Sequence, residues 1–332
     1  MNSRRSLPGI RCLSQGLPPR DMLPIRRVPV PPRCCTIDFQ SHMDLKTLRD
    51  TPPWEWPKGA GKRFQAILRD PHADAADRLL AAGLAGDFTV INDALAGALL
   101  SIVGSTAEPE ELRARAAISL GPALEQADIE EFDDPDAVPI TEKMFRSIKQ
   151  SLRKLFLDSG SSKFLRRSIL EAAVRAPEDW HTDAIRSAWS NDDREWKQTA
   201  VFCMSHVRGF DKEILEALEN ADPGIHYHAV RAAGTWEVEA AWPRVAALAT
   251  SAKTNKPLRL AAIEALSTIR PHESMEILVD LSDSEDEDIA ETAAEAMSMA
   301  EGMSDDELDD DEFEEDDEDD DEFEDGNHET VH

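Results

Sequence analysis

Hydrophobic residues recur along most of this chain with the spacing of one buried helical face. The sequence aligns at intervals of 53, 31, 29, 33 and 31 residues on Arg113, Arg166, Lys197, His226, Arg259 and Ala290. Five positions around each anchor are mostly apolar or small: the residue before the anchor and the residues three, four, six and seven positions after the anchor. These five positions lie on one side of a helix. The sequence therefore predicts six units, each with one amphipathic helix that we call the anchor helix.

The position six residues after each anchor is always small. Its residues are Ser119, Ala172, Cys203, Ala232, Ala265 and Ala296. A large side chain there would overpack the contact between neighbouring helices, so this column predicts anchor helices that pack closely on one another. A second amphipathic segment, such as that with Ile214, Leu215 and Leu218, lies between successive anchor helices. Two helices in about thirty residues predict an all-α fold, an α-solenoid of stacked helix pairs.

Two segments carry these columns most clearly, NKPLRLAAIEALSTI and DPGIHYHAVRAAG. They resemble HEAT repeats of the short bacterial kind, also called phycobilisome-lyase-like HEAT repeats, whose pattern is roughly D-x-x-V-R-x-x-A-x-x-A-L-G. The matching residues are Arg259, Ala262, Ala265 and Leu266 in one unit and Asp222, Ala229, Ala232, Ala233 and Gly234 in another. The basic anchor is lost at His226 and Ala290, so we expect an Asp-to-Arg ladder between units to be interrupted there. The resemblance implies a fold and leaves the function open, since such repeats occur in scaffolds, adaptors and some enzymes.

Composition divides the chain into four parts. Residues 1–42 hold seven prolines and no helical periodicity, which predicts a disordered extension or a mis-assigned start, with a mitochondrial-type presequence as the alternative. Residues 43–110 are helical in pattern but do not keep the columns, so we interpret them as atypical N-terminal capping helices. HEAT-like repeats are predicted over 111–300, with an insertion at about 126–158. Residues 301–332 are predicted to be a disordered acidic tail.

Charge is unevenly spread along the sequence. The net charge of −31 comprises +5 from residues 1–42, −16 from 43–300 and −20 from 301–332. The stretch 143–167 is nonetheless strongly basic, and its helix is expected to turn Ile148 and Leu152 inward. The candidate interaction residues on this stretch are Lys143, Arg146, Lys149, Arg153, Lys154, Lys163 and Arg167. The plainer interpretation is an ordinary solvated helix face.

The tail contains the string DDDEFE twice, ten residues apart. Leu308, Phe313 and Phe323 are apolar residues set in acidic runs, and such residues can dock into small pockets on a basic surface. That surface is either an external basic partner or the chain's own 143–167 stretch. The plainer interpretation is a solvated, like-charged segment that keeps the protein soluble.

Sites for nucleotide, calcium or iron are not predicted. The string KGAGKR lacks the first glycine and the Ser or Thr of a phosphate-binding loop, and Phe323 and His332 stand where a calcium loop needs oxygen ligands. The HEAT-repeat enzyme deoxyhypusine hydroxylase uses several His-Glu pairs on its repeat helices, whereas this chain has His272-Glu273 alone outside the tail, in a predicted loop. No catalytic, metal-binding or cofactor-binding residue is therefore assigned.

A solenoid without site chemistry predicts a non-enzymatic scaffold or adaptor, and the acidic charge predicts a basic protein partner. The negative net charge opposes binding to nucleic acid, and binding to a membrane is not expected. The five tryptophans from Trp180 to Trp242 are predicted to pack in the core. Three of the four cysteines lie in residues 1–42, which fits a cytoplasmic protein without internal disulfides. The alternatives are a HEAT-repeat enzyme such as a bilin lyase-like protein, or a nucleic-acid-associated protein that uses 143–167 under control of the tail.

Overall fold

The structure, a computed structural model, describes residues 44–132, 134 and 137–310, and these residues are built from helices and turns. Within them the α-helices are α1 (Leu45–Arg49), α2 (Ala60–Arg69), α3 (Ala75–Leu84), α4 (Asp93–Gly104), α5 (Glu110–Ser119), α6 (Gly121–Ile129), α7 (Glu142–Leu157), α8 (Lys163–Ala173), α9 (Asp179–Trp189), α10 (Arg194–Met204), α11 (Asp211–Leu218), α12 (Pro223–Thr235), α13 (Trp242–Thr250), α14 (Lys256–Ile269), α15 (Pro271–Ser282) and α16 (Glu287–Asp310). The described ranges contain no β-strand. The prediction of an all-α fold is confirmed.

The helices pack in pairs that follow the chain: α2 with α3, α4 with α5, α7 with α8, α9 with α10, α11 with α12, α13 with α14 and α15 with α16. The second helix of each pair also packs on the second helices of the neighbouring pairs, so that α3, α5, α8, α10, α12, α14 and α16 form one layer. From α5 onward these second helices are the predicted anchor helices. The α-solenoid predicted from the columns is thereby confirmed.

The anchor arginine joins the two helices of a pair through a hydrogen bond that recurs along the chain. In three pairs the anchor Nε donates a hydrogen bond to a backbone carbonyl: Arg113 to Val103 at 3.0 Å, Arg166 to Phe156 at 2.9 Å and Arg259 to Ala249 at 2.8 Å. Each acceptor lies ten residues earlier, in the last turn of the first helix, where carbonyl groups lack partners within the helix. The repeated arginine therefore caps the first helix of its own pair.

Arg78 extends the same geometry to the N-terminal helices. Its Nη2 donates to the carbonyl of Leu68, again ten residues earlier, at 3.1 Å. Both Nη atoms also bind the carboxylate of Glu108, at 2.6 and 2.8 Å, and this guanidinium lowers the pKa of Glu108. α2 and α3 thus form a regular pair, which differs from the expected atypical caps, and the short helix α1 packs on α3 outside any pair. The sequence columns missed Arg78 because Asp77 precedes it, where the other units have an apolar residue.

The long interval between Arg113 and Arg166 contains one additional helix, α6, and the loop after it. α7 lies in the place of a regular first helix, packed on α4 and on its pair partner α8. Thr141, the N-cap of α7, donates its hydroxyl to Asp93 at the start of α4, at 2.7 Å. The predicted bounds of the insertion, about 126–158, are therefore wrong, because the long helix α7 within them belongs to the repeat.

Glycine allows the closest contacts between anchor helices. A Cβ atom at Gly86 would lie 2.3 Å from the carbonyl oxygen of Ser119, and one at Gly234 would lie 2.9 Å from Cβ of Ala265. Ser119 and Ala265 belong to the small column predicted from the sequence, and the two glycines lie eight residues after Arg78 and His226. Ser119 and Ala265 thus mark close packing as predicted, and each of them meets one of these glycines.

The last anchor helix has one open side, because no further anchor helix follows α16 in the described residues. Ala294 is exposed and Met297 is half-buried, although the equivalent residues of the earlier units are buried. α16 continues to Asp310, so the predicted tail boundary at 301 is moved by ten residues and Leu308 lies within this helix. The predictions for 1–42, for the rest of the tail and for Phe313 and Phe323 lie outside the described residues.

Gly86→Ala is expected to lower the free energy of unfolding by about 1–3 kcal/mol, because the added methyl group would force α3 away from α5. Gly83→Ala is the matched control, since its Cβ would meet only Cδ of Arg115 at an ordinary 3.6 Å. Alanine is favoured over glycine inside a helix, so the control should be neutral or more stable. Urea unfolding compares them, and equal stability of the two variants would contradict the close approach.

Candidate functional site

The basic residues predicted on 143–167 divide into an exposed helix face and a set bound by neighbouring helices. α7 buries Ile148 and Leu152 against the stack, as the sequence predicts, and it also buries Phe156. The residues that it exposes on the other side are Lys143, Arg146, Arg153 and Lys154. We call this set the basic face of α7.

Only part of the charge on α7 is paired within the described residues. Arg146 forms an ion pair with Glu142 one turn earlier, and no described acid forms an ion pair with Lys143, Arg153 or Lys154. Lys149 is different: its Nζ lies 4.0 Å from Oε1 of Glu178 and 4.9 Å from the ring centre of Phe145. Lys149 therefore belongs to the contact between α7 and α9.

Lys163 and Arg167, also candidate residues, contact the next helix pair instead of forming a free surface. Nζ of Lys163 lies 2.6 Å from Asp193 and 2.7 Å from Glu195. Arg167 donates from Nε to the hydroxyl of Thr199 at 2.9 Å, and its Nη1 lies 3.3 Å from Glu195. Their charges are neutralised by α10, so they stabilise the stack.

Lys163 is one step of a ladder of ion pairs between successive anchor helices. In each step the first residue of an anchor helix binds the acid that precedes the next anchor helix; the pairs are Lys163 with Asp193, Arg194 with Asp222, and Lys256 with Asp286. The acids also accept backbone N–H groups of the helix that they cap, and each pKa is lowered, mainly by the bound cation. The ladder is missing at the other steps of the layer, for example between α12 and α14, where Pro223 and Asn255 occupy these places. This ladder does not involve the anchor positions, so the interruption of an Asp-to-Arg ladder expected at His226 and Ala290 stays a prediction.

A buried polar network lies between α8 and α10 beneath Arg167. Thr199 is 1% exposed; its hydroxyl accepts from Arg167 and donates to Oε1 of Glu171 at 2.6 Å. Burial raises the pKa of Glu171. One hydroxyl thus satisfies two side chains of α8, which gives Thr199 a structural role.

His181 lies behind the basic face of α7 and is fully buried. Its Nδ1 accepts the backbone N–H of Glu178 at 2.8 Å and so caps the start of α9. Burial, with a smaller contribution from the nearby charges of Lys149 and Arg153, lowers its pKa to about 4. His181 is therefore neutral near pH 7 and adds no charge to the basic face.

The last three helix pairs carry most of the acidic charge of the repeats. Residues 211–300 contain eighteen acidic and seven basic residues, −11 of the −16 between 43 and 300. On α15, Val279 is 46% exposed, and Glu276, Asp280 and Asp283 are exposed neighbours on the same side of the helix. No described cation forms an ion pair with these three carboxylates. We call Glu276, Val279, Asp280 and Asp283 the acidic face of α15.

The acidic face of α15 is not among the candidate residues predicted from the sequence, although a signal was present. The predicted apolar stripe of this helix is Met275, Leu278 and Leu281. Val279 does not fit that stripe and is an apolar residue between carboxylates on the outer side of the helix.

Other chemistry predicted or excluded from the sequence can be placed in the fold. His272 and Glu273 lie in the first turn of α15, which corrects the predicted loop, and Glu273 lies 3.6 Å from Arg270. No cluster of three potential metal ligands exists among the described residues. Cys203 is buried, which raises its pKa. Trp180, Trp189, Trp196, Trp236 and Trp242 pack against the core, as predicted.

A cavity of about 360 Å³ lies at the ends of α3 and α5. Trp56, Leu84 and Ile118 line it together with Arg49 and Arg115. Arg49 is paired with its neighbour Asp50. Among the described helices, none has the length and apolar character to cross a membrane.

Residues 211–298 match the family model described as HEAT repeats. This range comprises α11 to α15 and the first half of α16, and it includes the acidic face of α15. Over this range the chain matches HEAT repeats, as the sequence resemblance predicted, whereas the short bacterial, phycobilisome-lyase-like kind stays a prediction. A comparison with curated proteins gives no match.

Three solved structures show a distant likeness. Human deoxyhypusine hydroxylase in complex with glycerol is 18% identical, with a TM-score of 0.36, over 78% of this chain and 88% of that one. An engineered protein is 17% identical, with a TM-score of 0.37, over 62% and 96%. YibA of Escherichia coli is 14% identical, with a TM-score of 0.41, over 73% and 87%. Similarity this low says nothing about what this chain binds.

Thr199→Val is expected to lower the free energy of unfolding by about 1–3 kcal/mol, because Glu171 and Arg167 would lose a buried partner while the shape is kept. Thr235→Val is the control: this exposed threonine donates only to the carbonyl of Arg231 on its own helix. Its effect should stay within about 0.5 kcal/mol. Denaturant unfolding measures both, and equal losses would refute the role of the network.

His181 should make the fold less stable in mild acid. Its folded pKa of about 4 lies below the ordinary 6.5, so its contribution is complete above pH 6.5 and is lost as the pH falls towards 4. At a pH of about 5 the loss is about 2 kcal/mol. His181→Gln should reduce the difference in unfolding free energy between neutral pH and pH 5 by that amount. The exposed control His72→Gln should keep the parent difference, and an unchanged slope in His181→Gln would disprove the assignment.

Proposed function

We propose that this protein is a non-enzymatic interaction scaffold that binds a basic protein partner. The observation that carries the proposal is the acidic face of α15, where exposed carboxylates without described ion pairs surround the exposed Val279. A basic segment with an apolar residue between its cations complements this arrangement in charge and in shape. Opposite charge would raise the association rate, and the apolar contact would add to the lifetime of the complex.

The architecture supports a binding role. Stacked helix pairs present long, rigid surfaces on which partners are commonly bound as helices or extended segments. The acidic face of α15 lies within the residues that match HEAT repeats. Its side chains stand on a helix that is fixed by α16 and α14, so little order has to be gained on binding.

The proposal includes a cytoplasmic location. Cys203 is buried and forms no disulfide, which is the usual condition of a cysteine in a reducing compartment. The acidic surface is compatible with a soluble partner such as a basic protein.

The test uses a variant with Glu276→Gln, Asp280→Asn and Asp283→Asn. Immobilised full-length protein should retain a basic partner from an extract of its source cells at about 0.05 M salt and release it at about 0.5 M salt, because screening weakens exposed charge contacts. The variant should retain at least about tenfold less of that partner, as the loss of several complementary charges predicts.

The matched control carries Glu55→Gln, Asp77→Asn and Glu111→Gln. These residues are exposed on the early helices, so the change in net charge is the same at a different place. The control should retain the partner as the parent does. Equal loss in both variants would show that net charge alone is responsible, and absence of any retained protein at low salt would refute the proposal.

A further inference from the structure

The basic face of α7 is a second charged surface, opposite in sign to the acidic face of α15 and not used by the proposed function. Its four cations lie within an arc of about 100° around the helix, because each residue advances by about 100°. This arc lies opposite the side on which α7 buries Ile148 and Leu152. From Lys143 to Lys154 the face extends about 17 Å along the helix axis. All four cations can therefore contact one ligand that lies along α7 outside the stack.

One line of residues runs along the middle of this face. Successive residues in the line are three or four positions apart, as in the line along which one helix lies against another. Its members are Lys143, Arg146, Gln150, Arg153 and Leu157, and all five are exposed. The outer side of α7 thus offers about four turns of exposed side chains without a carboxylate in the line.

The line of exposed residues ends in apolar side chains. Leu157, the last residue of α7, is 66% exposed and lies about one turn after Lys154. Phe164, in the first turn of α8, is 47% exposed. The hydrogen bond from Arg166 to the carbonyl of Phe156 holds α8 against this end of α7. A ligand of the whole face must therefore combine negative charge over about 17 Å with an apolar group at one end.

The positive surface is one helix wide. α4, which packs on α7, contains no lysine or arginine. α9 contacts α7 through the rings of Phe156 and Trp180, whose centres are 5.1 Å apart. α9 exposes Asp179 and Asp183, and no described cation forms an ion pair with these two carboxylates. Nucleic acid binds through many phosphate contacts, so a strand that continued past α7 would meet these acids, and it would leave Leu157 without an apolar partner. A single acidic helix fits the width of the surface and can cover its apolar end.

We propose that the basic face of α7 binds an acidic α-helix of a partner protein. The partner helix lies along the line from Lys143 to Leu157, with carboxylates on the cations and one apolar side chain against Leu157 and Phe164. Opposite charge determines which helices are accepted, and the apolar contact determines the register along α7. This inference does not rest on the proposed function, because the acidic face lies on a different helix. A molecule with both faces can join an acidic protein to a basic one.

Designed peptides test this on the full-length protein by fluorescence anisotropy. Each labelled helix of about 20 residues carries four glutamates and one leucine in a line with the spacing of the residues from Lys143 to Leu157. Two such peptides place the leucine at opposite ends, one for each direction of the partner helix. At about 0.05 M salt one of them should bind at least about tenfold more tightly than a scrambled peptide, which has the same composition with its glutamates spread around the helix. Binding should weaken at about 0.5 M salt.

Substitutions in the protein locate the bound peptide. Arg153→Gln with Lys154→Gln should weaken binding about fivefold, through the loss of two exposed charge contacts. The matched control, Lys62→Gln with Arg69→Gln, removes the same charges from exposed positions of α2 and should bind as the parent does. Leu157→Ser should also weaken binding about fivefold, through the loss of the apolar contact.

Four outcomes would overturn the proposal. Absence of peptide binding at low salt, or equal binding of the ordered and scrambled peptides, would refute a helix that lies along α7. Equal loss in the two charge variants would show that net charge alone is responsible. Tighter binding of a single-stranded oligonucleotide of the same charge than of either ordered peptide would assign the basic face of α7 to nucleic acid.

Discussion

The close contact between successive anchor helices is the constraint on which the rest of the molecule depends. Dispersion contacts and apolar burial between these helices require short separations, and the small residues six positions after the anchors, together with Gly86 and Gly234, permit them. Once the anchor helices form one layer, each first helix has a single surface on which to pack. The sides of the first helices that face away from that layer are then left to solvent, and both charged faces described here lie on such helices, α7 and α15.

The same layer determines which charges remain available. Cations near the start of an anchor helix bind either a carbonyl group of the preceding helix, as Arg166 does, or the acid that caps the next anchor helix, as Lys163 does. The exposed cations of α7 do not form these contacts, because they lie on a first helix and point away from the layer of anchor helices. An acidic protein can thus keep one basic surface, and the sign of the net charge does not predict the sign of each surface. The proposed scaffold uses the acidic surface.

Much of the fold was predictable because buried anchor helices impose a strict column pattern. The anchor helices from α5 to α16, their inward sides and their close contacts followed from residues such as Ala262 and Ala265. The sequence did not show which neighbouring helix pairs with each anchor helix. The helix before an anchor helix and the helix after it have the same hydrophobic pattern, so the pattern cannot distinguish them. Of the candidate site, the exposed cations of α7 were predicted, but the sequence could not separate them from Lys163 and Arg167, whose acidic partners lie about thirty residues away.

The sequence by itself determined the repeat, the class of fold and the total charge of each part of the chain, since periodicity and composition are local properties. The tertiary structure decided that Arg78 begins the same repeat, that α7 is a regular first helix and that ion pairs join the starts of successive anchor helices, the last of them Lys256 with Asp286. The tertiary structure also determines which charged side chains are exposed to solvent. The physical reason is that ion pairing, capping between helices and exposure depend on which residues from different repeats are brought together, and a column of one repeat does not contain that information.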